Sequence, residues 1–260
     1  SDYPETAIRL LDAARNAGAK ADQVQWDYDC PTAALGDYAA LLERLRPQLP
    51  GTGFSITALP TWLGNASCGK LLKTVDRYTL QAHSVGKIGK SEDTTTLCDT
   101  EKIDGWAARA AQYGVPFDIA LPTYGYALQL DREGHLAGVK AEADLGRGGG
   151  EGASVEVSAN PAKLAKTMVQ LTQSRPKSLQ GVAWFRLPVG GARRNGSWPV
   201  LKGVMQGRAP KSDVRAESRA RQPGLCELWV KSAGEYRVPG KIGIPLRISA
   251  KIVALDFLNG

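Results

Sequence analysis

The segment DQVQWDYD (22–29) carries two carboxylates, Asp27 and Asp29, two positions apart. In an extended strand such residues point to the same face, with Cα atoms about 6.5–7 Å apart. Gln25 shares that face, while Trp26 and Tyr28 take the other. Carboxylates at this spacing repel one another, a relation that favours one protonated and one ionised member. Such a pair suits the acid–base cleavage of a glycosidic bond: one group protonates the leaving oxygen and the other stabilises positive charge at the sugar. A structural role, capping helix N-termini or bonding backbone amides, is the alternative. Three polar side chains facing the inside of a parallel sheet favour function, because strands in such sheets normally read as apolar runs.

Other side chains could serve the same site. His83, in LQAHSVG (80–86), could act as a base, donate a hydrogen bond to a sugar, or be a satisfied structural histidine. Trp62, Tyr124 and Trp184 lie near strand ends, where aromatic faces stack on sugar rings or simply pack. Thr57 and Arg186 are weaker candidates, as a polar lining and a strand-end cation. His135 falls in a turn and is assigned nothing.

The elements that must position these residues alternate. Helical periodicity covers Thr6–Asn16 (closed by Gly18), Leu35–Leu45, Leu71–Val75, Ile103–Gln112 and Pro161–Thr172. Strand patterns cover Asp22–Asp29, Phe54–Trp62, Tyr78–Val85, Phe117–Tyr124 and Val182–Leu187. Strands separated by helices of this length call for a parallel sheet with right-handed crossovers. Polar and aromatic residues gathered at each strand's C-terminal end suit a (β/α)8 barrel, an α/β fold whose active face lies there. A doubly wound sheet is the alternative, weakened by the absence of a Gly-rich phosphate turn after any strand. Ala127–Val157 reads as a hairpin insertion with a turn at Arg132–His135. After Pro223, short alternating segments at 226–231, 242–248 and 252–257 predict an antiparallel appendage.

Composition narrows the function classes. No apolar run approaches the roughly 18 residues of a membrane span. The net charge of +7 is concentrated between Arg175 and Arg221, where eleven Lys/Arg face only Asp213 and Glu217. That stretch could grip an anionic polymer, but no nucleic-acid motif or aromatic ladder accompanies it, and a solvated basic linker fits better. Four cysteines and two histidines show no metal-ligand spacing. Cys68 and Cys98 both follow strand ends in neighbouring βα loops, so a disulfide with Cα atoms within about 7 Å is expected.

The segment DQVQWDYD resembles the strand-four motif D-x-x-D-x-D-x-E of family-18 glycoside hydrolases. Asp22 and Asp27 match the first and third aspartates, Gln25 replaces the second, and Asp29 replaces the glutamate. SITALP (55–60), ALPTYGY (120–126) and GVAWFRL (181–187) look like the fifth, seventh and eighth strands of that family. LQAHSVG stands where the family has Met-x-Tyr-Asp, so His83 and Ser84 replace the Tyr-Asp pair. The family's eighth-strand Trp falls at Phe185 in strict register. QWDYDCPTAALGDYAALL, SITALPTWL and ELWVKSAGEYRVPGKIGIPLRISAKIVALD are similar to a closer match, the uncharacterised bacterial family called domain of unknown function 3142.

The resemblance implies a TIM-barrel-type fold represented by strands four to eight, its first three strands lying upstream or supplied by another chain. It implies residues 1–190 as a partial barrel with an insertion at 126–158, a basic linker at 191–224 and a β appendage at 225–260. By the same resemblance Asp29 would be the acid and Asp27 would orient a substrate acetamido group. Gln25, Trp62, His83, Tyr124 and Trp184 would bind substrate. The implied partner is a polysaccharide or oligosaccharide rather than nucleic acid, met outside the cytoplasm, with neither metal nor cofactor. The rival reading is a non-catalytic carbohydrate-binding or scaffold protein on the same fold.

Overall fold

A computed structural model describes residues 3–83, 97–133, 135–140, 154–189, 196–211, 213–223 and 225–235. Its centre is a five-stranded parallel sheet made of β1 (Gln23–Trp26), β2 (Gly53–Ala58), β3 (Arg77–Gln81), β4 (Phe117–Pro122) and β8 (Leu179–Phe185), adjacent in that order. Every neighbouring pair is parallel. The sheet is open among the described residues, with β1 and β8 at its two edges.

Helices supply the crossovers. α1 (Tyr3–Asn16) precedes β1 and stops where Gly18, at φ +83°, donates its N–H to the Arg15 carbonyl. α2 (Leu35–Leu45) buries Leu35, Tyr38, Ala39, Leu42 and Leu45; of the stripe its period predicts, Leu35, Tyr38, Leu41, Leu42 and Leu45, Leu41 is half-buried at the margin. α3 (Cys68–Leu72), α4 (Ile103–Ala111) and α5 (Pro161–Gln173) follow β2, β3 and the insertion. Asn160 caps α5 by accepting the Ala162 and Lys163 amides.

The core lies between this sheet and its helices. Phe54, Ile56 and Ala58 on β2, Tyr78 and Leu80 on β3, and Phe117, Ile119 and Leu121 on β4 are buried there. Val24, Trp26, Val182 and Trp184 of the edge strands pack against the same cluster. Because side chains alternate along a strand, the opposite face carries Gln25, Thr57, Thr79, Gln81 and Asp118. Strand alternation thus sorts the sequence into an apolar outer face and a polar inner one.

The insertion is a second, three-stranded antiparallel sheet: β5 (Gly125–Leu130), flanked by β6 (Leu136–Lys140) and β7 (Ser154–Ser158). Leu128 and Val157 from it are buried with Leu97 and Tyr124 in a small cluster of their own.

Several expectations change. The strand expected over 22–29 is hydrogen-bonded only through Trp26, because the chain turns at once, with the Cys30 amide donating to the Tyr28 carbonyl. The expected linker contains α6 (Trp198–Met205), which packs on α5 and buries Val200, Leu201 and Val204, and then β9 (Val214–Gln222). β9 pairs antiparallel with β10 (Leu225–Ser232). The strands expected at 242–248 and 252–257 lie outside the described residues. Cys68 and Cys98 are buried free thiols rather than a disulfide. Burial pushes both thiols up, Cys98 to about 12, and so keeps them in the protonated, unreactive form.

Candidate functional site

Asp27 follows the last residue of β1 and stays on the inner face. Its Oδ1 accepts hydrogen bonds from Thr57 Oγ1 at 2.6 Å and Gln81 Nε2 at 3.2 Å. These donors come from β2 and β3, so two strands fix one carboxylate oxygen; Oδ2 has no partner among the described residues. Beneath it, Gln25 Nε2 reaches over β2 to Thr79 Oγ1 at 3.0 Å. Arg77 and Asp118 form an ion pair across β3 and β4. Gly181 leaves room for it: a Cβ there would stand 3.1 Å from Asp118 Oδ1.

At the far end of β3 and β4 the inner face turns aromatic. His83 Nδ1 lies 3.1 Å from Tyr124 Oη. The His83 ring stacks on Phe185, centroids 5.0 Å apart and planes 3° apart. Tyr124 meets both rings edge-on, and the Arg186 guanidinium lies 5.5 Å from the Phe185 centroid and 5.8 Å from that of Tyr124. Burial pushes the His83 pKa down to about 4, and the Asp27 charge acts weakly in the opposite sense. His83 is therefore neutral near pH 7. Phe185 remains 46% exposed, the one ring of this group with a large open surface.

The structure thus brings Gln25, Asp27, Thr57, His83, Tyr124 and Arg186 onto one face. It separates others. Trp62 has no exposed surface: its Nε1 donates to the Cys30 carbonyl at 2.9 Å, and its ring packs edge-on against Tyr38. A ring so enclosed offers no face to a sugar, because the chain after β2 turns into a short 3-10 helix, Pro60–Trp62, instead of extending the strand. Trp184 packs toward the core with Val182, and Phe185 takes the inner position expected of it. The pairing of β8 with β4 decides this, since Gly181 and Asp118 are partners on the inner face and Phe185 lies four residues on.

Asp29 lies beyond the strand, so alternation does not carry it to the side of Asp27. It is exposed and makes no hydrogen bond among the described residues. Neither carboxylate serves as a helix cap. Gln81 was missed by the sequence reading, though counting back by two from His83 would have found it. The basic stretch is partly paired: Arg215 with Asp213, Arg219 with Glu217, Arg221 with Glu227 and Arg208 with Glu235.

The match to the Domain of unknown function (DUF3142) covers residues 4–190, which includes the whole parallel sheet. The chain belongs to the DUF3142 family. No curated protein matches it. Among solved structures, the C-terminal domain of a presumed chitinase from Desulfitobacterium hafniense is similar at 14% identity and a TM-score of 0.50, covering 78% of this chain and 72% of that one. A chitinase from Chromobacterium violaceum gives 12%, 0.48, and 76% and 70% coverage. The spore cortex-lytic enzyme SleL of Bacillus megaterium gives 11%, 0.47, and 80% and 53%. The DUF3142 chain thus spans about half the length of SleL. At such identity the likeness to the Desulfitobacterium domain shows the fold alone, a course of alternating parallel strands and helices.

Proposed function

We propose that the C-terminal end of the parallel sheet is a saccharide site with glycoside-hydrolase-type chemistry, in which Asp27 is the fixed carboxylate and Asp29 the acid. The observation that carries this reading is the double hold on Asp27 Oδ1 by Thr57 and Gln81, which leaves Oδ2 for a ligand. A carboxylate oriented by two neighbouring strands faces a bound ring in one direction only. Gln25, His83 and Tyr124 add polar contacts around it, and the exposed face of Phe185 supplies an apolar one. The proposed partner is a polysaccharide met outside the cytoplasm, periplasmic or secreted. No described helix is long and apolar enough to cross a membrane.

Asp29→Asn tests the acid. The amide is nearly isosteric but carries no proton to give, so hydrolysis of labelled chitin and peptidoglycan oligosaccharides should fall at least 100-fold while folding and binding persist. Undiminished turnover in the variant would remove Asp29 from the mechanism.

A binding-only protein is the second reading, and one observation favours it: nothing among the described residues holds Asp29 in place. On that reading no saccharide is turned over by the wild type, and Asp29→Asn changes affinity only slightly.

A further inference from the structure

His83 reaches the site by the alternation that sets Thr79 and Gln81 on the inner face, and it is clamped on three sides. Tyr124 Oη meets Nδ1, the Phe185 ring lies flat against the imidazole, and the Tyr124 ring closes one edge. With plane and Nδ1 fixed, the direction of Nε2 is fixed as well. Nε2 has no protein partner among the described residues, yet it is not one of the buried side-chain atoms left without a partner. The Tyr126 ring stands edge-on to that of Tyr124, centroids 5.0 Å apart, and its side chain favours the protonated Tyr124 hydroxyl.

We propose that Tyr124 donates its O–H to Tyr126 and accepts Nδ1–H from His83, so that Nε2 presents a bare lone pair to a ligand hydroxyl beside Asp27. The proposal rests on the saccharide reading and narrows it. Nε2 and Asp27 Oδ2 are then two acceptors without partners on one face, and a free hydroxyl or N–H of the bound unit satisfies them. An ether or ester at that position has no proton to give and leaves both acceptors facing its own lone pairs. The site is thus specific for a unit carrying an unsubstituted donor there. Tyr124 and Phe185 are positioning residues in this scheme: they set the tautomer and the plane. Among the described residues, the titratable and charged groups around the imidazole are Asp27, Tyr124, Cys98 near Tyr124, and Arg186 over the Tyr124 and Phe185 rings. Burial keeps the ring neutral in their presence.

The test is a long-range ¹H–¹⁵N spectrum of the histidine side chains in the ligand-free protein. The chain has two histidines, so His135→Gln assigns both. The expected result is a neutral His83 protonated at Nδ1 from pH 8 to about 5, with Nε2 in the unprotonated range. A proton on Nε2, or a charged ring at pH 7, overturns the inference on the wild type alone, whatever any variant does. Titration with chitin tetrasaccharide is then expected to shift Nε2 toward its hydrogen-bonded value, and Tyr124→Phe to mix the tautomers and weaken binding several-fold. Binding that leaves Nε2 unmoved overturns the inference while sparing the saccharide reading. An Nδ1–H tautomer with no binding of chitin or peptidoglycan fragments overturns the saccharide reading, and the ligand assigned to Nε2 falls with it.

Discussion

At the scale of residues, the site is a contrast between what is held and what is not. Asp27 is gripped by Thr57 and Gln81, and His83 by Tyr124 and Phe185, whereas Asp29 stands free in a turn. The buried histidine has a consequence for stability. Its folded pKa, about 4, lies below the ordinary 6.5. Between those values the unfolded chain binds a proton that the folded chain does not, so stability rises with pH across this window. The His83 contribution is complete above about pH 6.5 and is lost as pH falls toward 4, by up to about 3 kcal/mol. Urea unfolding at pH 7 and pH 5 should show the wild type losing more stability on acidification than His83→Gln. Equal losses in the two would mean that His83 is not buried as described.

At the scale of elements, the sequence was most legible where one period ran uninterrupted. The stripe Leu35, Tyr38, Leu41, Leu42, Leu45 marked the bounds of α2, with Leu41 at its half-buried margin, and the five parallel strands follow the expected order because each carries apolar residues at alternate positions. Legibility failed where a strand stopped early. Extending β1 to residue 29 placed Asp29 beside Asp27, and extending β2 to Trp62 placed that ring on a cleft wall; in both cases a turn intervenes. It failed again in α6, a short apolar stretch, WPVLKGVM, set between Gly-, Arg- and Pro-bearing segments that read as linker. β9 was hidden by composition, since its charges are matched by partners on its own and the paired strand. The burial of Trp62 yields a direct expectation. Trp62→Phe removes a buried hydrogen bond and part of a ring, so it should lower stability by about 1–3 kcal/mol. It should leave saccharide affinity within twofold. A large loss of affinity with unchanged stability would return Trp62 to the site.

At the scale of the whole molecule, one sheet serves two media. Its outer face builds the core with α2 to α6, and its inner face, from Gln25 across Thr57 and Gln81 to His83, is a polar surface ending in an open aromatic ring. Membership of the DUF3142 family and the fold shared with the Desulfitobacterium domain agree with this arrangement without naming a substrate. The chemistry rests on the residues, and above all on Asp27. Its role is measured most directly by calorimetric titration of chitin and peptidoglycan tetrasaccharides into the wild type and into Asp27→Asn. The amide keeps the size of the side chain but removes the charge and one acceptor from the ligand side. The expected result is saturable binding by the wild type with at least one of the two, weakened tenfold or more in the variant, with thermal unfolding nearly unchanged. Equal affinity in the two proteins, or no binding of either saccharide by the wild type, would contradict a saccharide site at Asp27.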